Sequence, residues 1–213
     1  MRLRFWLKSG WDVLVNTAGM SALYCVVMCI QIENDGWQDI LTMLPIYLIL
    51  FGALVFAISA FGLYKMTISL VLSFGSTRRE VLLGLQLYRL LPAAGIALLA
   101  ALLTMIPSVE PVFSPGTAFL ISLGVFLLGG AAGAILGMVA YRFGKVGTVI
   151  TAICVGLFGS GLGVMGSLSI AGGGYDLRAP GSLPWLLLAL GAAVYLLVMI
   201  PEIRVVRGYQ VRQ

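Results

Sequence analysis

Residues able to carry chemistry are few in this 213-residue chain, and most of them are cations. Thirteen Lys and Arg stand against eight Asp and Glu, with three Cys and no His. Cys25 and Cys29 share a helical face at i, i+4 and would offer two metal ligands, but no third ligand accompanies them. With Cys154 they read as buried, reduced packing residues. A zinc centre needs His and carboxylate ligands that the pattern does not supply. A serine nucleophile needs a nearby base, and none is at hand. The P-loop pattern G-x-x-x-x-G-K-[ST] is missing, since Gly144-Lys145-Val146 lacks both its first Gly and its Ser/Thr. Ionisable residues inside membrane helices normally mark proton relays and ion sites. The central parts of the helices proposed below hold no Asp, Glu, Lys or Arg. The expectation is a chain that is not an enzyme and carries no cofactor or metal.

The longest polar interruption is Ser73-Phe74-Gly75-Ser76-Thr77-Arg78-Arg79-Glu80 and its continuation to Arg89. Residues 65–89 hold four of the thirteen cations. Gly75 loosens the backbone there. Thr77 followed three residues later by Glu80 matches a capping box, in which each side chain closes an orphan backbone N–H of the other. At about 100° per residue, Arg78, Arg79, Gln86 and Arg89 share one polar sector, with Leu82 intruding. Val81, Leu85, Leu87, Tyr88 and Leu91 cover the other side. This pattern predicts a short amphipathic helix at a membrane surface, polar face towards cytosol, able to bind anionic lipid or to dock a soluble partner.

The elements around it are apolar. Hydrophobic residues make up 61% of the chain, charged ones 10%, and the mean hydropathy is +1.07. Soluble domains carry about 25% charged residues. The fold class is therefore all-α: a polytopic membrane protein forming one domain over 1–213. The formal charge of +5 is spread over short connections, so it points to the anionic inner leaflet rather than to nucleic acid. Residues 1–10 read as an interfacial segment with Trp6 and Trp11 at headgroup depth. Residues 13–32 are too long for a signal core and no A-x-A-like site follows, so they read as a retained first helix. Further spans fall at 40–64, 90–106, 116–141, 146–167 and 183–200. Segment 65–89 lies between the second and third helices, and 201–213 is a polar, basic tail. Pro45, Pro92 and Pro115 are placed in first turns, where proline costs little.

Six spans put the N-terminus, 65–89, 142–145 and the C-terminus on one side. Those segments hold twelve of the thirteen cations, and Arg178 is the thirteenth. The positive-inside rule then makes both termini cytoplasmic. Glu33, Asp35, Asp39, Glu110 and Asp176 fall outside. The glycines of 172–174 and Pro180-Gly181 read as a flexible external loop, with a re-entrant segment near 168–171 as the other reading. Gly129, Gly133 and Gly137 recur every four residues in the fourth helix, as Gly159 and Gly163 do in the fifth. Such spacing lets helix backbones approach closely, either within one chain or at a subunit interface or transport path.

With no energy source of its own, this arrangement suits a dependent transporter half. The run Ser73 to Glu80 resembles the segment after the second helix in small permease subunits of bacterial ABC type-2 transporters, the Gram-positive ones above all. The topology is similar over nearly the whole chain. The resemblance implies that about 76–88 is a coupling helix seated in a groove of a separate ABC ATPase subunit, contacting it through Gly75, Ser76, Thr77, Arg78, Arg79 and Glu80. Arg142 and Lys145 would form a second, smaller contact. It also implies a second permease subunit, a bacterial plasma-membrane location, and ATP-driven export. An apolar lining would suit a hydrophobic or amphipathic substrate such as an antimicrobial peptide, a lipid-like molecule or a drug. The chain departs from the pattern before the sixth helix, where little room is left for two re-entrant external helices. The alternative is a non-transporting anchor or sensor subunit whose basic loop binds membrane lipid or a regulator.

Overall fold

The computed structural model describes residues 2–31, 37–64, 68–73, 75–106, 113–171 and 182–208. Among these the elements are helices: α1 (Arg2–Gln31), α2 (Trp37–Gly62), α3 (Ile68–Ser73), α4 (Arg78–Leu103), α5 (Pro115–Ala171) and α6 (Leu183–Gly208). The expectations for Glu33, Asp35, Lys65, Glu110, Asp176, Arg178 and the loop 172–181 lie outside the described residues. Four stretches are long and apolar enough to cross a membrane: Leu44–Gly62, Arg78–Leu103, Pro115–Cys154 and Leu183–Gly208. An apolar core of about 30 Å needs roughly 20 helical residues, which each of the last three exceeds. This is the make-up of a membrane protein.

Helix α5 is folded back on itself. Gly144 takes φ 60°, ψ −126°, a conformation reserved for a residue without a Cβ. Its two arms, 115–143 and 145–171, lie side by side: the Thr151 hydroxyl donates to the Leu136 carbonyl at 3.3 Å, and Gly147 packs on Val139 and Ala140. The expected turn at 142–145 is therefore present. The first arm begins as the local sequence dictates. Ser114 is its N-cap, accepting from the Thr117 N–H at 3.3 Å, and Pro115 is the first helical residue.

Several boundaries differ from expectation. Helix α1 is continuous from Arg2, so 1–10 is not a separate segment, and Trp6 is 2% exposed while Trp11 faces outward. Gly84 of α4 explains the burial, because a Cβ there would overlap the Trp6 indole. Helix α4 runs unbroken through Pro92, and α2 contains Pro45 well inside it; neither proline occupies a first turn. Helix α6 passes through Pro201 and continues to Gly208. Cys25 is buried as expected, whereas Cys154 is exposed.

Contacts along the helices fix their directions. Trp6, Gly10 and Leu14 of α1 meet Gly84, Tyr88 with Leu91, and Gly95 of α4, so these two helices run parallel. Ala53 and Ala57 with Ala60 of α2, and Tyr64 just past its end, meet Gly129, Gly133 and Gly137 of α5, also in parallel. Gly124 of that arm lies on Leu187, Leu188 and Gly191 near the start of α6. Tyr64 and Arg89 both reach Glu202 near the end of α6. The start of α1, the end of α2, the start of α4, the Gly144 turn and the end of α6 consequently share one end of the bundle.

The seam between α2 and α5 depends on missing side chains. Ala53 carbonyl oxygen would stand 3.0 Å from a Cβ at Gly129, and a Cβ at Gly133 would overlap the Ala57 carbonyl. This favours packing within one chain for Gly129, Gly133 and Gly137. Gly159 and Gly163 lie on the second arm, and their surroundings fall outside the described residues. Backbones held this close gain dispersion contacts that lipid cannot supply. Gly133→Val is expected to lower stability by about 1–3 kcal/mol through overpacking. Gly156→Val, at an exposed position with open space around it, is the control and should leave thermal unfolding in detergent unchanged.

Candidate functional site

The shared end of the bundle is built from two local devices and one buried network. The first device is the turn into α4. Helix α3 closes with Gly75 at φ 76°, the Gly75 N–H donating to the Leu72 carbonyl at 3.0 Å and the Ser76 N–H to the Val71 carbonyl at 3.3 Å. That pair of bonds is a Schellman motif, which requires a left-handed residue where Gly75 stands. Two residues later Thr77 caps α4: the Glu80 N–H donates to Thr77 Oγ1 at 3.3 Å and the Thr77 N–H to Glu80 Oε2 at 2.8 Å. The capping box expected from Thr77 and Glu80 is present. Stop and start signals lie back to back, so the chain reverses within a few residues and presents Arg78 and Arg79 on an exposed first turn.

The second device is the Gly144 turn. Arg142, Phe143 and Lys145 are exposed on it, with the Arg142 guanidinium 6.0 Å from the Phe143 ring centre. Arg4 and Lys8 of α1 and Arg204 and Arg207 of α6 are exposed at the same end. Every sequence-predicted contact residue therefore lies there: Gly75, Thr77, Arg78, Arg79, Arg142 and Lys145 exposed, Ser76 and Glu80 half-buried. Together they make a cationic surface. Among the described residues no group of three or more His, Cys, Asp or Glu is placed to hold a metal ion.

The expected surface helix over about 76–88 is not separate; it is the first half of the continuous α4. Its polar sector also divides by depth. Arg78 and Arg79 face outward, Gln86 is half-buried, and Arg89 is 1% exposed. At about 100° per residue Arg78, Leu85 and Arg89 project from one side of the helix. Beyond the first turn that side meets α2 and α6.

Arg89 ends against Glu202, which is 0% exposed. Its Nη2 donates to both carboxylate oxygens, and its Nε donates to the Leu85 carbonyl at 3.3 Å. The hydroxyl of Tyr64, just past the end of α2, donates to the same carboxylate, and Gln86 Nε2 donates to Glu202 Oε2 at 3.1 Å. The Tyr195 hydroxyl donates to Gln86 Oε1, and the Tyr195 ring lies 5.3 Å from the Arg89 guanidinium carbon. Arg89 Nη1 makes no hydrogen bond among the described residues. The α5 glycines leave room for all this: Gly130 sits beside the Arg89 side chain and Gly137 beside Tyr64.

This network corrects the expected helix ends, since α4 starts before 90 and α6 runs past 200, burying Arg89 and Glu202 just beyond the uncharged central parts. Glu202 was expected in a polar tail and Arg89 on a cytosolic face; each is tolerated inside because the other neutralises it. Three side chains donate to the Glu202 carboxylate. A weak sequence signal existed. Tyr195, Val198, Glu202 and Val206 follow helical spacing straight through Pro201, and all four are buried.

Comparisons with protein-family models, with curated proteins and with solved structures return no match. No family is shown. What the site does rests on its own geometry.

Removing one member of a buried ion pair leaves the other charge uncompensated, at a cost of about 3–5 kcal/mol, whereas replacing both by apolar groups is often neutral or better. Arg89→Met and Glu202→Leu should each lower the unfolding midpoint in detergent strongly, and the double variant should recover most of the loss. Additive losses in the double variant would show that the two side chains are energetically independent.

Proposed function

We propose that this chain is the permease subunit of an ATP-driven bacterial exporter of the ABC type-2 kind, working with separate ATPase subunits and a second permease subunit. The observation that carries this reading is the cationic end of the bundle. It combines a rigidly capped, outward-facing start of α4 with the tight Gly144 turn of α5. A docking element must keep its shape under load, and two closed caps around Gly75 and Thr77 provide that. The element also leads into a continuous helix, so a displacement at Arg78 and Arg79 is carried straight into the bundle.

In this reading six spans cross the plasma membrane, with α1 and the two arms of α5 among them, and both termini are cytoplasmic. The cationic end faces the cytosol, as the positive-inside rule requires. Arg78, Arg79 and Glu80, with Arg142 and Lys145, form the ATPase contact. The transport step is mechanical: hydrolysis by the partner shifts packed helices between two arrangements. The substrate class is hydrophobic or amphipathic. A purified complex whose ATPase activity is indifferent to all such compounds would remove that assignment.

A second reading is favoured by the make-up of the Gly144 turn. Tyr141, Arg142, Phe143 and Lys145 are all exposed, a mixture of aromatic and cationic groups that also suits anionic headgroups. A lipid-binding anchor or sensor would use the end in that way.

The two readings separate in one purification. The tagged chain is extracted from its native host in gentle detergent, wild type beside Arg78→Glu/Arg79→Glu. The transporter reading expects an ATPase bearing a P-loop to accompany the wild type and to fall at least about tenfold in the charge reversal, because like charges now face each other at the contact. No ATPase with either folded protein overturns it. Binding to anionic vesicles that survives Arg→Lys exchange and fades with salt then supports the anchor.

A further inference from the structure

We infer that the Arg89–Glu202 pair is a conformational latch: it holds α4 against α6 at the cationic end, and its release lets the two helices part there. This goes beyond the proposed docking role and stands whether or not an ATPase is the partner.

A buried ion pair gains little stability over apolar residues of the same size, so its presence calls for another account. Its surroundings supply one. Each of the three helical segments that meet at the carboxylate carries a feature that weakens backbone bonding near the meeting point. Pro201 immediately precedes Glu202 inside α6, and Pro92 follows Arg89 by less than one turn inside α4. A proline within a helix removes a backbone bond to the residue four before it and lets the helix bend there. Tyr64 sits where α2 gives way to a π turn at residues 63 and 64. Such turns are concentrated at functional sites. A network built only to hold helices together gains nothing from three weakened backbones around it.

The hydrogen bonding is also incomplete. The carboxylate collects donors from three side chains, while Arg89 Nη1, equally buried, has no partner among the described residues. A half-satisfied network favours no single arrangement as strongly as a complete one does. Moving α6 away from α4 would hydrate Glu202 and both Arg89 nitrogens at once, so the parted state compensates in water what the closed state holds in the ion pair.

The position fits transmission. Arg89 lies about three helical turns from Arg78 on the same side of one unbroken helix. Whatever engages the exposed first turn of α4 therefore acts on the latch through a rigid lever.

The test measures the distance between α4 and α6 in liposomes. Spin labels are placed at Leu83 and Ile200, which are 66% and 55% exposed and belong to neither the network nor the contact surface, in full-length protein with Cys25, Cys29 and Cys154 replaced. The closed pair should give one dominant distance. Arg89→Met, and the nearly isosteric Glu202→Gln, should add a longer distance and raise the ratio of open to closed molecules on the order of tenfold, since the remaining polar group is better solvated when the helices part. Arg89→Glu/Glu202→Arg should restore the short distance, which keeps the test decisive even if a single variant folds poorly. An unchanged distance distribution in Glu202→Gln, with only a lower unfolding midpoint, would overturn the latch and leave the pair as a static tie.

Discussion

A guanidinium and a carboxylate cannot be left alone in an apolar interior, and that constraint fixes how this bundle closes. Arg89 and Glu202 stand 113 residues apart in the chain, yet each is admissible where it lies because of the other. Their meeting sets the register of α4 against α6, and Tyr64 ties α2 to the same point. Close approach at that junction depends in turn on α5, whose Gly130 and Gly137 leave space for the Arg89 and Tyr64 side chains. The glycine seam and the ion pair are two halves of one arrangement. Small residues bring the backbones near, and the polar cluster determines which depth is the matching one. Dispersion along a smooth Ala–Gly seam would tolerate a slip of one turn with modest loss, whereas a buried charge would not.

What the sequence makes legible follows from the range of each interaction. The Thr77–Glu80 cap is decided within a few residues by backbone groups that must be closed, and it is present as read; Gly75, read only as loosening the backbone, proves to close α3 by an equally local rule. The fold at Gly144 is equally local, since the cationic break between two apolar runs leaves little else for the chain to do. Fold class follows from composition, because a chain this apolar has only helices with which to satisfy its backbone in lipid. Helix ends read from hydropathy were less secure. Hydropathy counts Arg89 and Glu202 as reasons to stop, and it has no means of knowing that they cancel. The same blindness placed Trp6 at a surface, since the slot that buries it is a missing side chain at Gly84. Pro92 and Pro201 read from sequence as boundary marks, although both α4 and α6 run helical through them.

The residues proposed as contacts occupy a middle position. Their presence at one end, exposed and in firmly capped geometry, was readable from charge and spacing. Their depth was not. Arg78 and Arg89 are equivalent on a helical wheel, yet one faces outward while the other is sealed into the bundle. A wheel reports direction around the axis, and burial varies along it. The polar sector of α4 is therefore two regions in series, an outward-facing turn and an inward-facing ion pair, which the proposed function uses as a handle and a tie.

That serial arrangement bears on how a partner at the cationic end would act. A contact made only by mobile surface side chains would be lost in their rotamer freedom. Here the exposed turn is closed on one side by the Schellman bonds of α3 and on the other by the Thr77–Glu80 box, so the handle moves with its helix. The helix in turn carries Arg89 against a carboxylate on a neighbour that lacks one backbone hydrogen bond at Pro201. Rigidity at the surface and compliance at the buried junction are the pairing needed to convert a push into a change of packing. The opposite distribution, a soft handle on a stiff junction, would dissipate it. A lipid headgroup surface, fluid and without fixed geometry, exerts no directed push, so only the proposed protein partner would make use of the stiffness of the handle.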